Sequence, residues 1–336
     1  MTSAPLVSVL LPAFDAVATL PAALRSIARQ TERRWECIVV DDGSADGTLA
    51  CAREVAARDT RLRVIATRHG GLVAALNAGL AECRGDFIAR MDADDLMHRQ
   101  RLATQLAALA DQPELAAVGA HVRLFPRAPL PDRRRAYEAW LNGIDSPRRV
   151  REEVFVECPI AHPTLMVRGA VLRALGYRDV GWPEDYDLLL RLLTGGHEVG
   201  VVPRRLLAWR DGPTRLSRRD RRYALERFTA CKAAFLATHF LRGTDTYVLW
   251  GHGDTGRALR RALLPHGKRP AYVVEVHPRR IGQTIHGAPV IPIAALGAVP
   301  RRPIIVSVAG SEPRRQIRAA MATMGFHEAR DFVCAA

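Results

Sequence analysis

The sequence predicts an α/β protein in which a doubly wound, mainly parallel sheet is followed by a second, smaller α/β domain. Three observations carry this. Between residues 6 and 95, short runs rich in leucine and β-branched residues alternate with segments of helical apolar spacing, the pattern of strands joined by crossover helices. Those strands are apolar almost throughout rather than alternating, as expected where helices cover both faces. After a long amphipathic stretch, the same alternation restarts at Thr244. A chain of 336 residues is comfortable for two domains. The expected division is residues 1–216 for the first domain, 217–242 for a connecting amphipathic helix and 243–336 for the second.

Element by element, Leu6 to Phe14 reads as a buried strand and Val17 to Gln30 as a helix. Glu36 to Asp42 is a second strand, turned by Gly43-Ser44, and Asp46 suits the N-cap of a helix running to Arg58. Arg61 to Thr67 is a third strand, and Gly70-Gly71 opens a helix from Leu72 to Cys83. Asp86 to Met91 is the fourth strand, leading into Asp92-Ala93-Asp94-Asp95 and a helix-like segment from His98 to Ala110. Ala116 to Phe125 reads as another strand. Pro126 to Pro147 reads as a loop with a short helix near Ala136 to Leu141. Ser217 to Leu241 is a single amphipathic helix, with Leu225, Phe228, Phe235, Leu236 and Phe240 on one side. In the second domain, strands are expected at Thr246–Trp250, Ala271–Val276, Ile304–Val308 and Asp331–Cys334. Helices are expected at Thr255–Leu264 and Arg314–Met324.

An apolar share of 48% with 25% charged residues is that of an ordinary soluble protein. Lys+Arg 49 against Asp+Glu 35 gives a formal net charge of +14, mostly arginine in scattered clumps. These clumps lack aromatic interleaving and match no nucleic-acid module, so nucleic acid is not an expected partner. Six widely spaced cysteines without a C-x-x-C pair argue against a zinc ribbon and against a disulfide framework. Neither a signal peptide nor a bilayer-length apolar run stands out. The chain therefore reads as cytoplasmic, with peripheral contact at the inner face of a membrane and oligomerisation left open.

The chemistry concentrates at strand ends. In a parallel sheet, ligands bind beyond the carboxyl ends of the strands. Phe14, Asp42 and the acidic trio Asp92, Asp94 and Asp95 should share that edge. Clustered carboxylates repel one another, and a hard divalent cation relieves the repulsion. Capping of the next helix by Asp94 or Asp95 accounts for one carboxylate but not for three. Phe14 can stack on a nucleobase and Asp42 can accept a base N–H, although singly they read as core filler and turn residue.

Several runs together resemble the family 2 glycosyltransferases: the strand-end Pro12, Val39-Val40-Asp41-Asp42-Gly43-Ser44, Leu76-Asn77-Ala78-Gly79-Leu80, and above all Ile88 to Asp95. The resemblance implies a GT-A fold and inverting transfer from a nucleoside-diphosphate sugar, UDP foremost, to a glycan or glycoconjugate hydroxyl. It further implies Mn2+ or Mg2+ held by Asp94 as direct ligand, with Asp92 beside it on the metal or ribose. Asp42 would read uracil, in a pocket lined by Phe14 and Pro12. Family members often carry Tyr-Asn where this chain has Phe14-Asp15.

Later motifs extend the match. Pro159 to Thr164 resembles the segment approaching donor and acceptor, which places His162 near the diphosphate or acceptor. Pro183-Glu184-Asp185-Tyr186-Asp187 resembles the family's acidic motif, with Arg191 at helical spacing behind it. An acceptor hydroxyl must lose a proton as it attacks, and Asp185 is the expected base, with Glu184 as neighbour. Either residue would also serve as an N-cap. Trp209-Arg210-Asp211 and Arg215 are expected to close over the pyrophosphate, or else to sit in a surface loop.

In the second domain, Gly251-His252-Gly253-Asp254-Thr255-Gly256 forms a G-x-G-x-x-G between strand and helix, a context suited to phosphate. Gly251, Gly253 and Gly256 would hold it, with Glu275 ending the next strand as a ribose-binding acid. The region resembles the small Rossmann-like nucleotide-sugar module that precedes some sugar O-acetyltransferases. Taken alone, this domain also suits a nicotinamide-dependent oxidoreductase, and the whole chain a non-catalytic nucleotide-sugar binder.

Overall fold

The computed structural model describes residues 7–128, 130–213 and 215–336. Leu6, the expected start of the first strand, lies outside them. The chain divides into two compact units. The first comprises residues 1–150, 159–180 and 187–218, and the second residues 151–158, 181–186 and 219–336. Segments 151–158 and 181–186 thus group with the later chain, although linear order alone placed them in the first domain.

In the first unit, β1 (Val7–Ala13), β2 (Trp35–Asp41), β3 (Leu62–Ala66) and β4 (Phe87–Arg90) run parallel. They are linked by α1 (Leu20–Ala28), α2 (Thr48–Ala56) and α3 (Leu72–Glu82). β1 and β2 are buried along their whole length, which matches their unbroken apolar character. Gly79 lets α3 approach this sheet closely. A Cβ there would fall 2.7 Å from Val40 Cγ2, so only glycine fits without movement.

Beyond β4 the strict alternation ends. β5 (Leu96–Met97) precedes α4 (Arg101–Asp111), and β6 (Leu115–Phe125) precedes α5 (Asp132–Leu141) and α6 (Pro147–Glu153). β7 (Met166–Arg168), α7 (Gly169–Leu175), α8 (Glu184–Thr194) and β8 (Glu198–Arg210) follow. The sheet order is β3-β2-β1-β4-β7-β6-β8-β5, with β7 antiparallel to β4 and β6, and β5 antiparallel to β8. The helix expected from His98 starts at Arg101 because Leu96 and Met97 pair instead with Ala208 and Leu207. β8 escapes sequence reading because Pro203 and two arginines interrupt its apolar run, at the place where its register against β6 shifts.

The helix expected over 217–241 is broken. It becomes α9 (Leu216–Arg219), a 3-10 turn at Arg221–Tyr223, α10 (Leu225–Phe235) and a π turn at Leu236–Phe240. Asp220 accepts the Arg222 N–H at 2.8 Å, and Ala224 is extended, which together end one helix and start the next. Leu225, placed on the apolar stripe by spacing, is 73% exposed.

In the second unit, six strands follow: β9 (Thr246–Trp250), β10 (Arg269–Val274), β11 (Thr284–Ile285), β12 (Ala288–Ile291), β13 (Ile304–Val306) and β14 (Phe332–Cys334). Their order is β11-β12-β10-β9-β13-β14, parallel except for β11, with α11 (Asp254–Leu263) and α12 (Ser311–Thr323). Val248, Trp250, Val306, Met321 and Phe332 lie in its core. All six cysteines are free thiols, and every one but Cys51 is buried. Among the described residues, no helix is long and apolar enough to cross a membrane.

Candidate active site

Because β1, β2 and β4 are parallel neighbours, their carboxyl ends share one edge of the first unit's sheet. Pro12 is buried within β1, while Phe14, just past it, is 48% exposed. One face of the Phe14 ring stacks on His69, with centroids 4.3 Å apart. The turn is fastened across strands: Asp15 N–H donates to Ser44 Oγ at 3.0 Å, and Ala45 N–H to Asp15 Oδ1 at 2.9 Å.

Asp42 is buried and held on both carboxylate oxygens. Its Oδ1 accepts from Gly70 N–H (2.9 Å) and Thr67 Oγ1 (3.3 Å), and its Oδ2 from Gly71 N–H (2.9 Å). His69 Nδ1 lies 2.9 Å from that same Oδ2. A carboxylate offers about four acceptor sites, and Thr67, Gly70 and Gly71 take three of them. Locally, Asp42 holds the Gly70-Gly71 turn that opens α3.

The acidic trio converges. One carboxylate oxygen each from Asp92, Asp94 and Asp95 lies within 4.8 Å of the others. Arg90 forms an ion pair with Asp92. Arg210, at the end of β8, donates its N–H to Asp95 Oδ1 (2.7 Å) and its Nε–H to the Asp94 carbonyl (2.8 Å). Asp95 therefore does not cap α4, whose N-cap is Gln100, and is instead 1% exposed beneath the cluster. Burial, with the neighbouring Asp92 charge behind it, pushes the Asp94 carboxyl up to about 6, against the opposing charge of Arg215. The same causes hold Asp95 well above the carboxylate range. Asp95 Oδ2 is buried without a hydrogen-bond partner among the described residues. Crowded carboxylates with an orphaned buried oxygen are a donor set that fits a hard divalent cation.

Arg215 is held close by. Its guanidinium lies 4.2 Å from the Trp209 ring centroid, donates to the Arg210 carbonyl (3.2 Å) and pairs with Asp211 at 3.8 Å. His162 is buried in a 3-10 turn, with Nε2 3.2 Å from the Tyr177 hydroxyl. Tyr177 is positioned in turn by Asn77, which bonds its N–H (3.0 Å) and its carbonyl (2.9 Å). Arg191 bonds Asp187 (2.7 Å) and the Leu175 and Gly176 carbonyls, so its place in the acidic motif is to organise that turn.

Glu184, Asp185 and Tyr186 form the first turn of α8 and belong to the second unit. Glu184 is 2% exposed and accepts the Tyr223 hydroxyl at 2.6 Å. Asp185 is more accessible, and its Oδ1 accepts the Tyr186 N–H at 2.7 Å. Sequence reasoning missed Arg90, His69 and Tyr223, and it gave Arg210 a place over the pyrophosphate rather than its bonds to Asp94 and Asp95. Scattered single residues carry no spacing signal, and only strand pairing and turn closure bring them in.

In the second unit, Gly251 has φ +94°, and a Cβ on it would sit 2.6 Å from Val308 Cγ2. Gly256 packs against the Gly251 carbonyl, whereas Gly253 faces open space. Glu275, just past β10, accepts the His252 N–H (3.1 Å) and pairs with Arg280 (3.5 Å).

The sequence model of glycosyl transferase family 2 matches residues 8–174. The putative glycosyltransferase EpsE of Bacillus subtilis strain 168 is 31% identical over 242 residues, covering 69% of this chain and 84% of that protein. The amylovoran biosynthesis glycosyltransferase AmsE of Erwinia amylovora is 29% identical over 238 residues, covering 68% and 86%. Among solved structures, S. aureus TarS 1-349 in complex with UDP aligns with a TM-score of 0.53 at 19% identity, over 78% of this chain and 71% of that one. The mannosyltransferase PcManGT of Pyrobaculum calidifontis, in complex with GDP-Man and Mn2+, aligns with a TM-score of 0.51 at 20% identity, over 96% and 81%. Fold, family profile and relatives agree: this chain belongs to glycosyl transferase family 2 and is a glycosyltransferase of the GT-A fold.

Proposed function

We propose that this glycosyltransferase moves a sugar from a nucleoside diphosphate, UDP foremost, to an acceptor hydroxyl in polysaccharide or glycoconjugate synthesis. Transfer is metal-dependent and inverts the anomeric centre. The observation that carries the reading is the convergence of Asp92, Asp94 and Asp95, with a buried orphan oxygen, at the sheet edge where Phe14 stands exposed. The relatives' descriptions support it: TarS is described with UDP, PcManGT with GDP-Man and Mn2+, and AmsE in amylovoran biosynthesis.

Phe14 offers its ring to the nucleobase, with His69 behind it and Asp42 stiffening the adjoining turn. Asp94 and Asp92 are the residues to hold Mn2+ or Mg2+, which when bound supplies Lewis-acid stabilisation of the departing diphosphate. Asp95 orients the cluster through Arg210. Arg215 supplies positive charge toward the diphosphate, and His162, oriented by Tyr177, a polar contact to donor or acceptor. Asp185 takes the acceptor proton as the hydroxyl oxygen bonds to the anomeric carbon. The bond to the diphosphate breaks on the opposite face, and its electrons leave with that group. Glu184 suits this role less well, since it is buried and already bonded to Tyr223.

The test is a screen of UDP-, GDP- and dTDP-sugars for binding and slow hydrolysis with Mn2+, with Mg2+ and with EDTA. A UDP-sugar bound and hydrolysed only with metal is expected. Absence of nucleotide-sugar binding with either cation would overturn the proposal.

A further inference from the structure

The second unit contains donors that the transfer chemistry does not use. They gather where β9 and β13 end and α11 begins. No side chain caps Gly253 at the N-terminus of α11, a helix of ten residues, so its first-turn amides are of the kind a helix leaves without internal partners. Gly253 itself borders open space. That alone would be an ordinary helix end.

Two buried side chains make it more. Ser307 is 2% exposed, and its Oγ has no hydrogen-bond partner among the described residues. It stands against the same turn: its Cβ lies 3.7 Å from where a Gly256 Cβ would be, and its carbonyl accepts from Thr255 Oγ1 at 3.3 Å. His252, inside the glycine loop, is 7% exposed with Nε2 equally unpartnered. Buried polar atoms left unmade cost about 1–3 kcal/mol each, so two beside one helix terminus ask for a ligand.

The surrounding charge selects the ligand's sign. His286, Arg257, Arg260 and Arg280 all act on the His252 ring, and together with burial, the larger cause, they hold its pKa low. A neutral imidazole can still donate through Nε2. The carboxylate of the first turn, Asp254, is 96% exposed and paired with Arg257. Glu275, at the end of the next strand, fixes the loop by accepting from His252 N–H and Arg280 through the same oxygen, Oε1.

We propose that the second unit holds a separate site for a phosphate group, free or as a monoester, with the α11 first-turn amides, His252 Nε2 and Ser307 Oγ as its donors. The site needs no metal, unlike the acidic cluster of the first unit.

The test uses the full chain carrying Asp94→Asn in EDTA, so that metal-dependent binding is silent. Inorganic phosphate, UMP and NAD are titrated by calorimetry, with hydrogen exchange read at residues 254–256. Phosphate or UMP should slow exchange there. Ser307→Ala and His252→Ala should each weaken binding about tenfold, the worth of one hydrogen bond to a charged group, without lowering the melting temperature. UMP protecting residues 254–256 at lower concentration than phosphate identifies a nucleotide monoester as the source, and equal protection identifies the free anion. No protection with either, unchanged affinity in both variants, or NAD binding tighter than UMP would overturn the site. If one variant unfolds, the other decides.

Discussion

Arg210 donates its backbone N–H to Asp95 Oδ1 at 2.7 Å across 115 positions of sequence. The last residue of β8 thereby holds the floor of the acidic cluster. Asp95→Asn keeps an acceptor for that N–H while removing a buried charge that Asp92 and Asp94 already disfavour. The variant should melt no lower than wild type without metal. Its Mn2+ affinity should fall about 10- to 100-fold, as for other residues that orient metal ligands. Calorimetry with Mn2+ and a metal-free melt check both halves.

Asp94→Asn removes a direct ligand, so UDP binding should lose its dependence on Mn2+. Titrating UDP with Mn2+ and then with EDTA should give the same weak affinity in both. A variant that kept the wild-type metal effect would exclude Asp94 as a ligand.

Asp185→Asn should leave donor affinity unchanged and lower the transfer rate about 10²- to 10⁴-fold, the usual contribution of a general base. Glu184→Gln should retain far more activity, because the buried Glu184 is bonded to Tyr223. Transfer at the wild-type rate by Asp185→Asn would refute the base assignment.

Gly79→Ala should lower stability by about 1–3 kcal/mol through overpacking. The new methyl would sit 2.7 Å from Val40 Cγ2 and would crowd Leu10 Cδ1 as well. Urea denaturation reads the loss directly. Unchanged stability would mean that α3 can back away from the sheet.

Lys232 gives a pH-dependent signature in the second unit. Its Nζ donates to the carbonyls of Val156 (3.2 Å) and Ala335 (2.8 Å), and burial pulls its pKa down from 10.5 to about 8. Between those values the unfolded chain holds a proton that the folded chain has released. This group therefore adds stability as pH rises from about 8 to 10.5. Burial pushes the Cys83 thiol up to about 12, which acts in the opposite direction but equally in any Lys232 variant. Comparing wild type with Lys232→Met by urea denaturation isolates the lysine. Their stability difference should move toward wild type by about 3 kcal/mol over that range. A flat difference would mean the ammonium titrates normally.

The strand-end carboxylates show how much of the site was legible. Asp92, Asp94 and Asp95 follow an apolar run within four positions, so spacing alone put them at a sheet edge. Asp95 as floor rather than cap was not legible, since its partner Arg210 lies on a strand broken by Pro203. Asp42 was visible at a strand end, but its hydrogen bonds with Thr67, Gly70 and Gly71 depend on how a distant turn closes.

By itself, then, the sequence determined the alternation of strands and helices, the acidic cluster, the glycine loop of the second unit and the family. These are local patterns, set by the periods of helix and strand and by residue chemistry at their ends. Tertiary structure alone decided the mixed half of the first sheet and the break in the helix after Leu216. It also decided the grouping of residues 151–158 and 181–186 with the second unit, and the unmade bonds of Ser307 and His252. Each depends on groups far apart in the chain meeting in one register, and no local period encodes that meeting.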